Sequence, residues 1–358
     1  MTLYLEAFQL NVMNNNTITY FHMDGAGWWP IDRLFCLMSD LLDLKVERPA
    51  LPELSKFSKF WNELKVGQKG GENGSIYLTR SPAEIRLLPS LKDFSKPKKF
   101  RALWIVDSFR TEHIRSKRFM SQFDLVIYMQ KGDTDFYENL APGRSLYLPW
   151  GADVLDLGAS NSTRPMDVLR VGRQPDAWEN NTQSAAVCQE KGLVFSGRPP
   201  FAAPTPSDPS QPYRELHQYY SRTKCVIAHS NLVGTANYTH RAKEYITGRW
   251  TDALAAGAIV AGVQPYDDSS SEDLFWPGAT INFQSVDLVK NVAALKEALE
   301  DWTPSIVQQN YYQALCRLDW RWRLQKLANR LEIRSPKLEI EMNRLKKAIR
   351  DAEPIREN

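Results

Sequence analysis

The stretch KEYITGRWTDALAAGAIVAG, residues 243–262, decides how this chain reads. It places one acid, Glu244, eight positions before another, Asp252, just ahead of a run of small residues. Two turns of helix would put both acids on one face. A Gly-containing approach to a helix would instead aim both at a ligand. Ala253, Ala255, Ala256, Gly257 and Ala258 read as opening a helix that presses close to a strand or a phosphate. Asp252 at that start suits the positive end of the helix dipole and offers an oxygen to cap backbone N–H groups. Just before it, Gly248 and Arg249 stand where anions bind most readily, and a guanidinium fork grips a diphosphate through two hydrogen bonds.

Outward from this stretch, strand and helix patterns alternate in both directions. Toward the C-terminus, AIVAG (258–262) and ATINF (279–283) read as strands. Residues 286–331 read as mostly helical, and the last twenty or so as a charged surface helix. Toward the N-terminus, KCVIAHS (224–230), GLVFSGR (192–198) and DVLRVGR (167–173) are strands, with a helix in YRELHQYYSRT and a loop at 201–212. Gly, Ser, Asn and Pro concentrate in PWGADVLDLGASNSTRP, which marks a boundary. Before it lie TITYFHMD (17–24), SIYLT (75–79), FRALWIVDSF (100–109), FDLVIYMQ (123–130) and SLYLPW (145–150). The Gly turn GAGWWP and the amphipathic IDRLFCLMSDLLDL follow the first of these strands. Strand, Gly turn and helix open a parallel αβ sheet, and short continuous apolar strands suit a sheet covered on both faces. The expected architecture is α/β, with two Rossmann-like αβα domains in tandem: 1–150, 151–335, and a charged helix at 336–358.

Composition narrows the function classes. Apolar residues make up 43% and charged residues 24%, ordinary for a soluble globular chain. A net charge of +3 is too mild to argue for nucleic acid. The basic runs KPKKFR (96–101) and RTEHIRSKRF (110–119) are solvated faces, or else meet an anionic acceptor or a membrane surface. Cys36, Cys188, Cys225 and Cys316 lie far apart and form no metal-like pair; Cys36 and Cys225 sit in apolar runs as buried free thiols. No apolar run reaches 18 residues and no signal-like segment opens the chain, so the expected compartment is cytoplasmic. The glycines of VGQKGGENGS (66–75) lack the spacing of a phosphate-binding P-loop.

With these residues in place, E-x7-D-A-L-A-A-G-A-I-V-A resembles the Glu-(seven residues)-Glu signature of GT-B fold glycosyltransferases of group 1. It is most similar to their spore-coat-maturation-like branch, in which an Arg precedes the small-residue helix. Gly172-Arg173, ending a strand, resembles the family's donor diphosphate contact. The resemblance implies an interdomain cleft and a C-terminal helix crossing back to the first domain. The acceptor would sit on the N-terminal side and the nucleotide sugar on the C-terminal side. Glu244 would face the donor sugar and Asp252 the ribose. Arg173 and Arg249 would neutralise the leaving diphosphate, with no metal and no cofactor. His229 and Ser230 end a strand at the donor cleft, Trp250 and Thr251 complete that set, and 231–241 would lie over the donor.

Candidates on the acceptor side are Gly25, Gly27 and Trp28, with Trp29 beside them, and Asp24, Asp107 and His113 as bases. The resemblance implies retaining, metal-independent hexosyl transfer to a glycan, polysaccharide, lipid-linked or small-molecule acceptor. Peripheral contact with the inner membrane face and a homodimer stay open. The sequence departs from the pattern where Asp252 replaces a Glu, and where Trp178 stands in place of a Lys that Lys243 or Arg241 would have to replace. The alternatives are a nucleotide-sugar epimerase of like fold and a degenerate, nucleotide-binding scaffold. Each residue also has a structural alternative: Asp252 as a helix cap, Arg249 in an ion pair, His229 as a satisfied strand-end histidine, and the acids of 266–273 as solvated.

Overall fold

The computed structural model describes residues 15–21, 26–53, 55, 58, 62, 64–114, 116–200, 210–234, 239–266 and 270–354. Six strands form the first sheet: β1 (Thr17–Tyr20), β2 (Lys45–Glu47), β3 (Ser75–Thr79), β4 (Arg101–Ile105), β5 (Leu125–Tyr128) and β6 (Ser145–Tyr147). They run in the order β2-β1-β3-β4-β5-β6. Five form the second: β7 (Met166–Arg170), β8 (Phe195–Ser196), β9 (Thr223–Ile227), β10 (Ile259–Gly262) and β11 (Thr280–Asn282), ordered β11-β10-β9-β7-β8. Every pairing between these strands is parallel. The architecture is α/β, the GT-B arrangement of two Rossmann-like domains.

The longer helices are α1 (Trp29–Leu41), α2 (Thr134–Leu140), α3 (Asn181–Glu190), α4 (Gln211–Tyr220), α5 (Gly248–Ala255), α6 (Leu288–Glu300), α7 (Pro304–Arg317), α8 (Trp320–Leu331) and α9 (Pro336–Ala352). The apolar strand runs exist because both sheet faces are covered. In the first sheet Ile76, Leu78 and Trp104 join one buried cluster, while Tyr77, Leu103 and Ile105 join another on the opposite face.

The last two helices return to the first domain. Ala152 N–H donates to Leu318 O at 2.9 Å and Trp320 N–H to Ala152 O at 3.0 Å, so the outgoing and returning chains pair at the junction. Gly151 is required there, because a Cβ would come within 2.6 Å of Leu318 O. Arg323 donates to Trp150 O at 2.9 Å, the Ser335 hydroxyl to Leu41 O, and Lys337 pairs with Asp40 at 3.2 Å. Leu324, Leu327, Leu338 and Leu345 share one buried cluster with Leu34 and Met38 of α1.

Several expectations shift in detail. The small-residue run closes α5 instead of opening a helix: the helix begins at Gly248, and Gly257, at φ +78°, lies beyond its end. Cys225 is buried, but Cys36 is only partly so; all four thiols are free. The acids at 272 and 273 are exposed, as expected, but they sit in the short helix Ser270–Leu274 instead of a loop and reach Lys131. Among the described residues no helix is long and apolar enough to cross a membrane.

Candidate active site

Parallel strands deliver their following loops to one edge of a sheet, and in the second domain that edge gathers the donor-side candidates. Beyond β7, Gly172 adopts φ +68°, a conformation that favours glycine. The Arg249 guanidinium lies directly on it: a Cβ at Gly172 would approach Arg249 Nη2 to 2.6 Å. Arg249 Nη1 also donates to the Arg173 carbonyl at 3.0 Å. The Arg249 guanidinium, arriving from α5, is thereby seated on the Gly172–Arg173 backbone turn. Beyond β9, His229 Nδ1 accepts from Val263 N–H at 3.1 Å, which leaves the ring proton on Nε2. Burial, then the charge of Arg249, pushes the His229 pKa down to about 3, so the ring is neutral at physiological pH. Trp178 and Phe283 flank it, with centroids at 6.2 and 5.9 Å.

Glu244 lies in segment 243–247, outside any helix or strand. The buried Ser230 hydroxyl donates to its Oε1, and Tyr266 N–H donates to its Oε2 at 2.9 Å. Ser230 is itself fixed by its N–H on Val263 O at 2.7 Å. The structure therefore brings Gly172, Arg173, Arg249 and His229 together, and ties Glu244 to Ser230.

Three donor-side candidates lie elsewhere. Asp252 is 1% exposed; Tyr213 of α4 donates to its Oδ1 at 2.8 Å, and His217 Nε2 stands 3.9 Å away. Burial raises its pKa well above the carboxylate range, with Asp153 adding and the Tyr213 hydrogen bond opposing. It does not cap the helix, because it sits mid-helix and is buried. Trp250, 1% exposed, packs on Phe275 at 5.5 Å, and Thr251, wholly buried, donates to Gly151 O at 2.9 Å. Both anchor α5. The N-terminus of that helix is covered as well, since a Cβ on Gly248 would meet Pro30 at 2.9 Å. The positive charge near it comes from the Arg249 side chain.

Trp178, at the position where the resemblance expects Lys, is fully buried. Lys243 does not replace that cation: its ammonium is held by Asp133 at 2.5 Å and Thr111 at 3.2 Å, across the domain boundary. Arg241 is exposed.

On the first domain, Asp24 and Gly25 lie outside the described residues, as do 235–238 of the loop expected over the donor. Gly27 is exposed, and Trp28 lies 5.5 Å beneath the Arg80 guanidinium at the end of β3. His113 lines a small pocket with Pro82, Ile85 and Phe119 of its own domain. Asp107 follows β4, its N–H on Arg80 O at 2.6 Å. Burial pushes its pKa up to about 7, with the Arg110 charge opposing. Sequence reasoning missed Tyr266, whose N–H holds Glu244, and Phe109, whose ring stacks on Tyr245 at 3.9 Å.

Comparison with known proteins adds to this geometry. Residues 189–329 match the model of a family described as glycosyl transferase-like. No curated protein matches the chain significantly. Among solved structures the chain is similar to Anabaena HepE in complex with UDP and glucose, at 11% identity over 89% of this chain and 100% of that one, with a TM-score of 0.51. It is likewise similar to a glycosyltransferase from Rickettsia africae ESF-5, at 11% identity over 89% and 99%, with a TM-score of 0.52. At such identities the likeness establishes the fold.

Proposed function

We propose that this chain is a glycosyltransferase that moves a hexosyl group from a nucleotide sugar to an acceptor hydroxyl, with retention of anomeric configuration and without a metal. The observation that carries the reading is that Glu244 and Arg249 act on adjacent residues after β9: Glu244 accepts from the Ser230 hydroxyl, and the Arg249 charge bears on His229 while its guanidinium lies on the Gly172 turn. The match over 189–329 supports it, because Glu244, Arg249 and His229 all fall within that range.

In this mechanism the two guanidiniums hold the diphosphate and take up the charge it gains on leaving, a task that needs preorganised cations and no proton transfer. Glu244 faces the sugar, its carboxylate oriented by Ser230 and the Tyr266 amide, and offsets positive charge at the anomeric carbon. Neutral His229 presents its Nε2–H as a hydrogen-bond donor beside Arg249. Asp252 serves the fold. The acceptor, a glycan or lipid-linked hydroxyl, approaches from the Trp28–Asp107 side.

Incubation with a panel of nucleotide sugars tests the reading. UDP-sugars come first, since HepE binds UDP. Transfer or slow donor hydrolysis that persists in EDTA is the expected result. An isomerised donor, binding without turnover, or activity that chelation abolishes and manganese restores would each overturn a stated part.

Asp107 adds a pH dependence. Its carboxyl is pushed up to about 7 by burial, so the basic form accumulates as pH rises through that value. With Asp107 as the acceptor-side base, kcat/KM should climb through pH 7 and level off above it. Asp107→Asn should remove that limb and lower the plateau by roughly 10²-fold or more. A pH–rate profile of parent and variant that superimpose would discard Asp107 as the base.

A further inference from the structure

The segment that carries Glu244 is held from both domains. On one side Glu244 is fixed to Ser230 and Tyr266 of the second domain. The side chains of its two sequence neighbours instead reach the first domain, while the Lys243 backbone bonds to Asn231 at 2.9 Å and His240 at 2.8 Å within the second. Lys243 reaches Asp133, at the start of α2, at 2.5 Å and Thr111 at 3.2 Å. The Tyr245 ring stacks on Phe109, beyond β4, with centroids 3.9 Å apart and planes within 7°. Phe109 is 1% and Tyr245 8% exposed, so this stack is buried across the domain boundary.

We infer that Phe109 and Asp133 of the N-terminal domain are positioning residues for Glu244, acting through Tyr245 and Lys243. The inference rests on the glycosyltransferase reading for its catalytic consequence. Residues 243–247 lie outside any helix or strand, so no ladder of backbone hydrogen bonds fixes the segment, and side-chain attachments decide where it lies. Adjacent Cα atoms are about 3.8 Å apart, so a neighbour that shifts carries Glu244 with it. Of the attachments of residues 243 and 245, the stack and the ion pair exist only while the two domains touch. The acid is thus set against the donor when the acceptor-bearing domain is closed on it. When the domains part, Glu244 keeps its own hydrogen bonds and the Lys243 backbone keeps those with Asn231 and His240, but the ion pair and the stack that set the two flanking side chains are lost. Nucleotide binding, which depends on Arg173 and Arg249, does not need that restraint.

Asp133→Asn is nearly isosteric and removes the charge; Phe109→Leu removes the ring. In both, hydrogen exchange of the amides in 243–247 should quicken by roughly fivefold or more while the sheet cores stay protected. Turnover should fall about tenfold or more, with the calorimetric affinity for UDP unchanged within about twofold. Exchanging the charges, Asp133→Lys with Lys243→Asp, should recover most of the loss that either single change causes. Unchanged exchange in 243–247 for both variants overturns the inference, as does an equal fall in turnover and UDP affinity. If the parent transfers no sugar from any donor, the functional reading fails, and the exchange rates alone still decide whether the first domain holds this segment.

Discussion

Glu244→Gln should turn over roughly 10²–10³-fold more slowly than the parent while binding donor within a few-fold as well. The asymmetry follows from the two hydrogen bonds that orient the carboxylate. Tyr266 N–H donates to one oxygen, and a glutamine carbonyl accepts that bond equally well. The other oxygen accepts from the Ser230 hydroxyl, which can rotate to accept from the new amide N–H₂ instead. The side chain therefore keeps its place and the segment keeps its shape. What disappears is one negative charge facing the anomeric carbon. In the ground state that carbon carries little charge, so affinity suffers little; in the transition state it is strongly positive, so the barrier rises. Measured kcat and KM for both proteins, with matching melting curves to exclude unfolding, decide the matter. A variant that turns over like the parent would reduce Glu244 to a loop tie between Ser230 and Tyr266.

The opening motif shows what a sequence carries and what it does not. Burial of whole strands was legible: SIYLT coincides with β3, because five consecutive apolar or small residues covered on both faces leave little choice of period. KVE, the edge strand β2, was not, since its three residues are exposed or half-exposed and polar at both ends. The beginning of α5 was misplaced by four residues. Gly, Trp and Thr are indifferent helix formers, and the helix starts there because Trp250 and Thr251 are buried by tertiary packing. The spacing Glu244–Asp252 fixed the chain distance between two acids but not the direction of either. Asp252 turns to Tyr213, 39 residues away in the chain, and Lys243 to Asp133, 110 away. Contacts of that separation leave no trace in a local pattern. The Gly172–Arg249 contact was legible only in part: Gly172-Arg173 was read by resemblance as a diphosphate contact at a strand end, while the guanidinium that lies on the glycine arrives from α5.

The crossing of the C-terminal helices should prove the most costly feature of the fold to disturb, and Arg321→Leu is its direct test. Arg321, at the start of α8, is wholly buried. Its guanidinium reaches Asp153 at 2.8 Å, Asp319 at 3.2 Å, Asp156 at 2.8 Å and Glu341 of α9 at 2.7 Å. One cation thus joins the interdomain linker, the start of α8 and the last helix. Burial works against the charge on Arg321, but Asp319 and Asp153 overcome it and raise its pKa further. Leucine supplies apolar volume yet leaves the Asp153 and Asp319 carboxylates, both at 0% exposure, without their main counter-ion. Arg33 still reaches Asp153 at 2.6 Å and softens the loss. Breaking a buried pair from one side typically costs about 3–5 kcal/mol, and the lower end of that range is expected here. Arg344→Ala provides the contrast. Arg344 meets Asp156 at 2.8 Å with half its side chain in water, so its removal should cost no more than about 1 kcal/mol. Denaturant unfolding of both variants measures the difference, with hydrogen exchange in α9 showing whether that helix loosens first. If Arg321→Leu unfolds within about 1 kcal/mol of the parent, the charge network is dispensable. Leu324, Leu327, Leu338 and Leu345 would then hold the crossing through their apolar contacts with α1 alone.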